Sequence, residues 1–210
     1  MKLYDSASSP NPRRVRIFLA EKGLEVERVR VNLAAGEQFS AAYRAINPRC
    51  TVPTLALDDG SAISEVPAIC RYIEEIRPEP PLLGTTAKDK AIVIMWERRM
   101  ELDGFFAVVE ALRNSVSFFK DRAVVGPHRY EQIPALAERG RARTLYFYDD
   151  LDRRLAESPF VAGERFSIAD ITAVVTVDFA TKRIDLPAPP EREALRRWYD
   201  VVSARPSMKA

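Results

Sequence analysis

Apolar positions along this 210-residue chain change their rhythm once. Up to residue 77 short strand-like and helix-like runs alternate. Lys2–Tyr4 is a first short strand, and Ser8-Ser9-Pro10-Asn11-Pro12 breaks it. Val15, Phe18, Leu19 and Lys22 then fall at i, i+3, i+4 and i+7. They predict a helix with Asn11 as N-cap, Pro12 at its first position, Gly23 as its stop, and the Lys22 stem snorkelling to solvent. Glu25–Val31 carries the β-branched Val26, Val29 and Val31 and predicts a second strand. Phe39–Tyr43 suggests a short helix, and Val52–Leu57 a third strand. Asp58-Asp59-Gly60 is a hairpin turn leading to a fourth strand at Ala62-Ile63. Ala68, Ile69, Tyr72, Ile73 and Ile76 form a helical stripe.

The order βαβαββα predicts a thioredoxin-like domain with a mixed sheet and helices on both faces. Arg77-Pro78-Glu79-Pro80-Pro81 reads as a linker. Beyond it only helical periodicity remains: Ala87 to about Phe119, Pro134–Glu157, Ser167–Arg183 and Glu191–Ala204. Ser167 and Asp170 have capping-box spacing, flanked by Phe166 and Ile171 as a hydrophobic staple. The expected organisation is therefore an α/β domain over 1–77, a linker over 78–86 and an all-helical domain over 87–210.

Composition narrows the function classes. The net charge of +2 is close to balance. Arg13-Arg14 is short, and Arg139–Arg143 reads as a solvated helix face, so no nucleic-acid partner is expected. No stretch approaches the ~20 apolar residues of a membrane helix, and Met1–Asp5 lacks the apolar core of a signal peptide. Two cysteines, Cys50 and Cys70, make neither a metal set nor a disulfide framework. The expectation is a cytoplasmic protein without a metal. Cys70 reads as a small buried hydrophobe, Cys50 as structural, and the single histidine, His128, as a loop residue.

Three motifs carry a resemblance. The first is Ser9-Pro10-Asn11 with Val15-Arg16-Ile17 and Glu21-Lys22-Gly23. The second is Asn47-Pro48 with Val52-Pro53-Thr54-Leu55. The third is Ile63-Ser64-Glu65 running into Ala68-Ile69 and Arg71-Tyr72. With the Ser167–Asp170 cap, these resemble the cytosolic glutathione transferases over essentially the whole length.

The resemblance implies a glutathione site built from named residues. Val52-Pro53 would be cis, turning the Val52 backbone toward the cysteinyl part of glutathione as if toward an added strand. Glu65 would meet the γ-glutamyl ammonium, and the Val66 N–H would receive the γ-glutamyl carboxylate at a helix N-terminus. Many relatives have Ser at the Val66 position, and Gly then Lys or Gln where this chain has Cys50 then Thr51, with Thr51 at the position that would meet the glycine end of glutathione. Gln38 matches a glutathione-contacting Gln in some relatives. Thiol activation falls to Ser9, as in serine-type members, or to Asn11, as in Nu-type disulfide reductases, with Ser8 and Tyr4 as lesser alternatives. A second, hydrophobic pocket is expected between the domains around Met100, Phe105 and Phe106, with Asp178–Arg183 closing it. Family members are usually homodimers, in which Asp103 could reach the neighbour's γ-glutamyl ammonium.

Three functions follow from the resemblance: conjugation of glutathione to a small electrophile, glutathione-dependent disulfide or peroxide reduction, and non-catalytic binding. The scaffold alone does not choose among them.

Overall fold

The computed structural model describes all 210 residues, which divide into two compact units. The first holds Met1–Pro80, Val125–His128 and Lys209–Ala210. Its four-stranded sheet has the order β2-β1-β3-β4, from β1 (Lys2–Asp5), β2 (Glu27–Arg30), β3 (Thr54–Ala56) and β4 (Ala62–Ser64). β1 runs parallel to β2, with Leu3 opposite Arg28, and antiparallel to β3, with Leu3 opposite Leu55. β3 and β4 form the hairpin expected from Asp58-Asp59-Gly60.

Successive residues of a strand face opposite sides. Leu3 is buried on one side of the sheet, while Tyr4 meets Tyr43 of α2 (Ala41–Ile46) edge-on at 5.8 Å between centroids. Helices α1 (Pro10–Glu21) and α3 (Val66–Ile76) pack on each other through faces that bury Val15, Phe18, Leu19, Ile69 and Ile73. The thioredoxin-like βαβαββα arrangement is thus realised.

Two local expectations fail in α1. The helix starts two residues early, with Ser9 as N-cap and Pro10 in the first turn, so Asn11 lies inside it. Both prolines of Pro-Asn-Pro fit a first turn, where the missing N–H groups have no helical partner to lose. Lys22 does not snorkel. Its ammonium is buried, 2.5 Å from Glu74 and donating to the carbonyls of Pro78 (3.0 Å) and Pro80 (2.5 Å). A carboxylate and two carbonyls replace water around the charge, so the stripe closes inward. Gly23, at φ +59, ends the helix as expected.

The second unit holds Pro81–Val124 and Arg129–Met208. It is all helical: α4 (Ala87–Arg99), α5 (Phe106–Ser115), α6 (Pro134–Glu157), α7 (Ile168–Ile184) and α8 (Glu193–Ser203). The single helix expected from Ala87 to about Phe119 is interrupted by a π-helical turn at Met100–Phe105 and ends in a short 3-10 turn at Ser117–Phe119. Gly104 in the π turn lies against the Phe147 ring, where an added Cβ would stand 2.5 Å away. A Cβ added to Gly140 of α6 would stand equally close to the α5 backbone, 2.5 Å from the Ala111 nitrogen and 2.7 Å from the Ala107 oxygen. These two glycines set how closely α6 approaches its neighbours.

Arg139–Arg143 is not a plain solvated face. Arg139 and Arg143 both pair with Glu110 of α5, and Arg141 donates to the Ile184 carbonyl at 2.6 Å. The capping box of α7 is complete, and the helix behind it is buried almost all round. Asp178 on α7 accepts a 2.5 Å hydrogen bond from the Tyr199 hydroxyl of α8.

Candidate functional site

The N-terminus of α1 is unusually open. Pro10 and Pro12 have no N–H, and the Arg13 N–H bonds back to the Ser9 carbonyl at 3.4 Å. Of the first-turn amides only the Asn11 N–H is left without a helical partner. The Ser9 hydroxyl makes no capping bond, although Ser9 is the N-cap. Asn11 is half-buried, and its carboxamide oxygen accepts from the Arg14 guanidinium at 3.1 Å. One backbone N–H, one hydroxyl and one amide NH2 therefore gather at the positive end of a three-turn helix. That combination stabilises an anion. Ser8 is exposed, and Tyr4 packs on Tyr43.

Between α2 and β3, a buried polar network holds the loop at residues 47–53. The Tyr43 hydroxyl donates to the Thr51 carbonyl at 2.5 Å and lies 3.1 Å from the Thr54 hydroxyl. The Asn47 amide donates to the Thr51 carbonyl (3.0 Å), the Thr51 hydroxyl (3.2 Å) and the Thr54 hydroxyl (2.9 Å). Burial pushes the Tyr43 phenol pKa up, which keeps it a donor. Cys50 takes φ +55, with its thiol toward the Pro48 carbonyl at 3.5 Å. The Val52–Pro53 peptide is cis.

Val52 is only 8% exposed, yet neither its N–H nor its C=O bonds to the rest of the chain. Buried backbone groups are almost always paired. An unpaired N–H and C=O on one residue is what an added extended peptide requires.

At α3, Glu65 is exposed and adopts φ +70, ψ 129. A non-glycine residue there is strained by roughly 1–3 kcal/mol. Its carbonyl accepts the first helical bond from Ile69 at 3.0 Å. The Val66 side chain is 3% exposed and packs inward, so the hydroxyl many relatives carry here is replaced by core contact. Its backbone N–H remains a first-turn donor of α3. Gln38 is buried, and its side-chain oxygen has no hydrogen-bond partner. Ser9, Asn11, Gln38, Thr51, Val52, Pro53, Glu65 and Val66 all belong to the first unit.

The other expected residues lie in the second unit. Met100 and Asp103 line a cavity of about 440 Å³ with Trp96, Arg99, Phe147 and Arg154. The guanidinium groups of Arg99 (4.8 Å) and Arg154 (4.7 Å) both lie over the Trp96 ring. Phe105 is buried and stacks on Phe179 at 5.8 Å, whereas Phe106 is 44% exposed. Cys70 is buried in α3 and His128 is exposed on its loop. No three His, Cys, Asp or Glu side chains come together as a metal-binding group, and no helix is long and apolar enough to cross a membrane.

Sequence reasoning passed over Arg14, the largest fully buried side chain in the protein. One signal was available: Arg14 lies one turn before Phe18 on the buried stripe of α1.

Comparison with known proteins assigns the class. Residues 8–76 match the glutathione S-transferase N-terminal domain, and residues 134–201 the glutathione S-transferase C-terminal domain. The chain belongs to the glutathione S-transferase family. Glutathione S-transferase 2 of Saccharomyces cerevisiae is 39% identical over 212 residues, covering 100% of this chain and 88% of that protein. A glutathione S-transferase domain-containing protein of Marinobacter aquaeolei superposes with a TM-score of 0.92 at 35% identity, covering 99% and 100% of the two chains. A more distant relative is the disulfide-bond oxidoreductase YfcG of Escherichia coli, 28% identical over 96% of this chain and 89% of that protein.

Proposed function

We propose that this protein binds glutathione along Val52, activates its thiol at the N-terminus of α1, and directs the thiolate onto a small hydrophobic electrophile. The observation that carries this reading is the buried Val52 with an unpaired N–H and C=O. It sits beside a cis-proline loop locked from behind by Tyr43 and Asn47. Glu65 supplies a carboxylate for the γ-glutamyl ammonium, and the Val66 N–H supplies a donor for the γ-glutamyl carboxylate. Gln38 offers a buried acceptor to the glutathione backbone. The Thr51 hydroxyl is turned onto Asn47, so it supports the loop.

A free thiol has a pKa of about 8.5, and only the thiolate is a strong nucleophile. Lowering that pKa by two units takes about 2.7 kcal/mol of preferential thiolate stabilisation. The Ser9 hydroxyl, the Asn11 amide and the Asn11 N–H are donors of the right kind and number for that scale. The thiol proton leaves to solvent. The thiolate electron pair forms the new S–C bond, and the electrophile's leaving group or π-electrons accept the displaced charge. Met100 and Phe106 are the apolar contacts we assign to the electrophile, with Phe105 packed behind them. We assign a homodimeric state as well, with Asp103 serving the neighbouring chain's site. Exposed Ile94, Met95 and Leu102 on α4 and the turn after it offer an apolar surface for it.

Disulfide reduction is the second reading. The Asn11 amide favours it, as does the Escherichia coli relative named for that activity. Two glutathione thiols would then be oxidised to one disulfide as the substrate disulfide is reduced to two thiols.

Calorimetric titration with glutathione tests the site. Binding between micromolar and low-millimolar concentrations is expected, and its absence would remove the catalytic reading. Conjugation and disulfide reduction, assayed side by side on Ser9→Ala and Asn11→Ala, separate the two chemistries.

A further inference from the structure

Arg14 is an odd residue to find at 1% exposure on a helix that opens a site for an anion. Arginine is always charged and carries five donors but no acceptor. One of those donors, Nη1, is directed at the Asn11 oxygen at 3.1 Å, one helical turn back. A carboxamide is two-ended: one end accepts, the other donates. Left free, the Asn11 amide could turn either end outward, and its oxygen would repel a thiolate. With the oxygen taken by a guanidinium that the core holds in place, only the NH2 end is available to a ligand. The same bond polarises the amide and strengthens its remaining N–H groups as donors.

We propose that Arg14 is a positioning residue: its buried guanidinium fixes the Asn11 amide with its donors outward, so that the amide favours thiolate over thiol in bound glutathione. This rests on the glutathione-site reading above and deepens it, because it assigns Asn11 a defined share of thiol activation beside Ser9. Arg14 touches no reacting atom. It acts through Asn11, so its removal should change the thiol pKa and leave the binding of the peptide part of glutathione alone.

The test compares wild type, Arg14→Lys, Asn11→Ala, Asn11→Asp and the Arg14→Lys/Asn11→Ala double variant. Two quantities are read on each: glutathione affinity by calorimetry, and the pKa of bound glutathione from the ultraviolet absorbance of its thiolate against pH. Lysine keeps the charge but loses the planar fork that grips the amide oxygen. Arg14→Lys should raise the bound-thiol pKa by about one unit, a tenfold loss of thiolate, with affinity within about twofold. Asn11→Ala should raise the pKa by about as much, and Asn11→Asp by more, since it offers only acceptors and a negative charge. In the Asn11→Ala background, Arg14→Lys should add less than about twofold, because the residue it works through is gone.

Three results would overturn the proposal: an unchanged pKa in Arg14→Lys, an unchanged pKa in both Asn11 variants, or full additivity in the double variant. Should Arg14→Lys not fold, the half-buried Asn11 variants decide alone. A wild type that binds no glutathione would remove the site reading itself. Binding with a pKa insensitive to residues 11 and 14 would remove only the positioning role.

Discussion

Helices α1 and α7 both begin with a serine N-cap, and they use it in opposite ways. At α7, Ser167 closes a complete capping box. Asp170 accepts from the N–H groups of Val161 (2.9 Å) and Ser167 (3.0 Å), from the Ser167 hydroxyl (3.2 Å) and from the Trp198 indole (2.9 Å). Four donors converge on one fully buried carboxyl group, and nothing is left for a ligand. At α1, the Ser9 side chain caps nothing, two prolines remove two N–H groups, and the Asn11 N–H is left without a helical partner. One helix start ties three segments of chain together. The other leaves its polar groups unsatisfied and available. A serine before a helix therefore says little about its role until the groups one turn further on are counted.

The comparison can be broken by substitution. Asp170→Ala should have the largest effect, because it strands the Val161, Ser167 and Trp198 N–H groups in the core; a loss of about 3 kcal/mol or more in chemical denaturation is expected. Ser9→Ala should do the reverse. We expect at least a tenfold loss of conjugation rate, about 1.4 kcal/mol in the barrier, with stability changed by less than about 0.5 kcal/mol. Wild-type-like turnover would remove Ser9 from the thiol site. Ser167→Ala should cost about 1 kcal/mol of stability, the usual value of an N-cap, and leave turnover per folded molecule untouched.

The same contrast should show in the pH dependence of stability. Burial outweighs the four donors and pushes the Asp170 pKa up to about 6. The folded chain then holds this proton more tightly than the unfolded one. The resulting stability is complete below about pH 4 and is lost as pH rises through about 6. The stability gap between wild type and Asp170→Ala should widen as pH falls across that window, as urea titrations at several pH values would show.

Much of the fold was legible because it follows from periodicity. The stripe at Ile69 and Ile73, the hairpin at Asp58–Gly60 and the span of α6 are local patterns, and the structure reproduces them. The break after Arg99 was not legible, since a single π turn shifts the helical register over too few residues for periodicity to locate it. Lys22 misled, and Arg14 was passed over, for one reason: a long cation on an apolar stripe looks the same in sequence whether water or protein surrounds its charge. Only the fold brings Glu74 and the carbonyls of residues 78 and 80 to Lys22. In the candidate site, sequence named the residues from resemblance. It could not show that Val52 lacks partners, because an unpaired backbone group is a property of the surrounding chain.

Glu65 places two demands on one position that no single amino acid satisfies. Its backbone, at φ +70 and ψ 129, asks for glycine; the ammonium we assign to it asks for a carboxylate. A library randomised at residue 65 would therefore split by how it is selected. Enrichment for heat resistance alone should drift to glycine, whereas capture on immobilised glutathione should keep glutamate despite its poorer backbone fit.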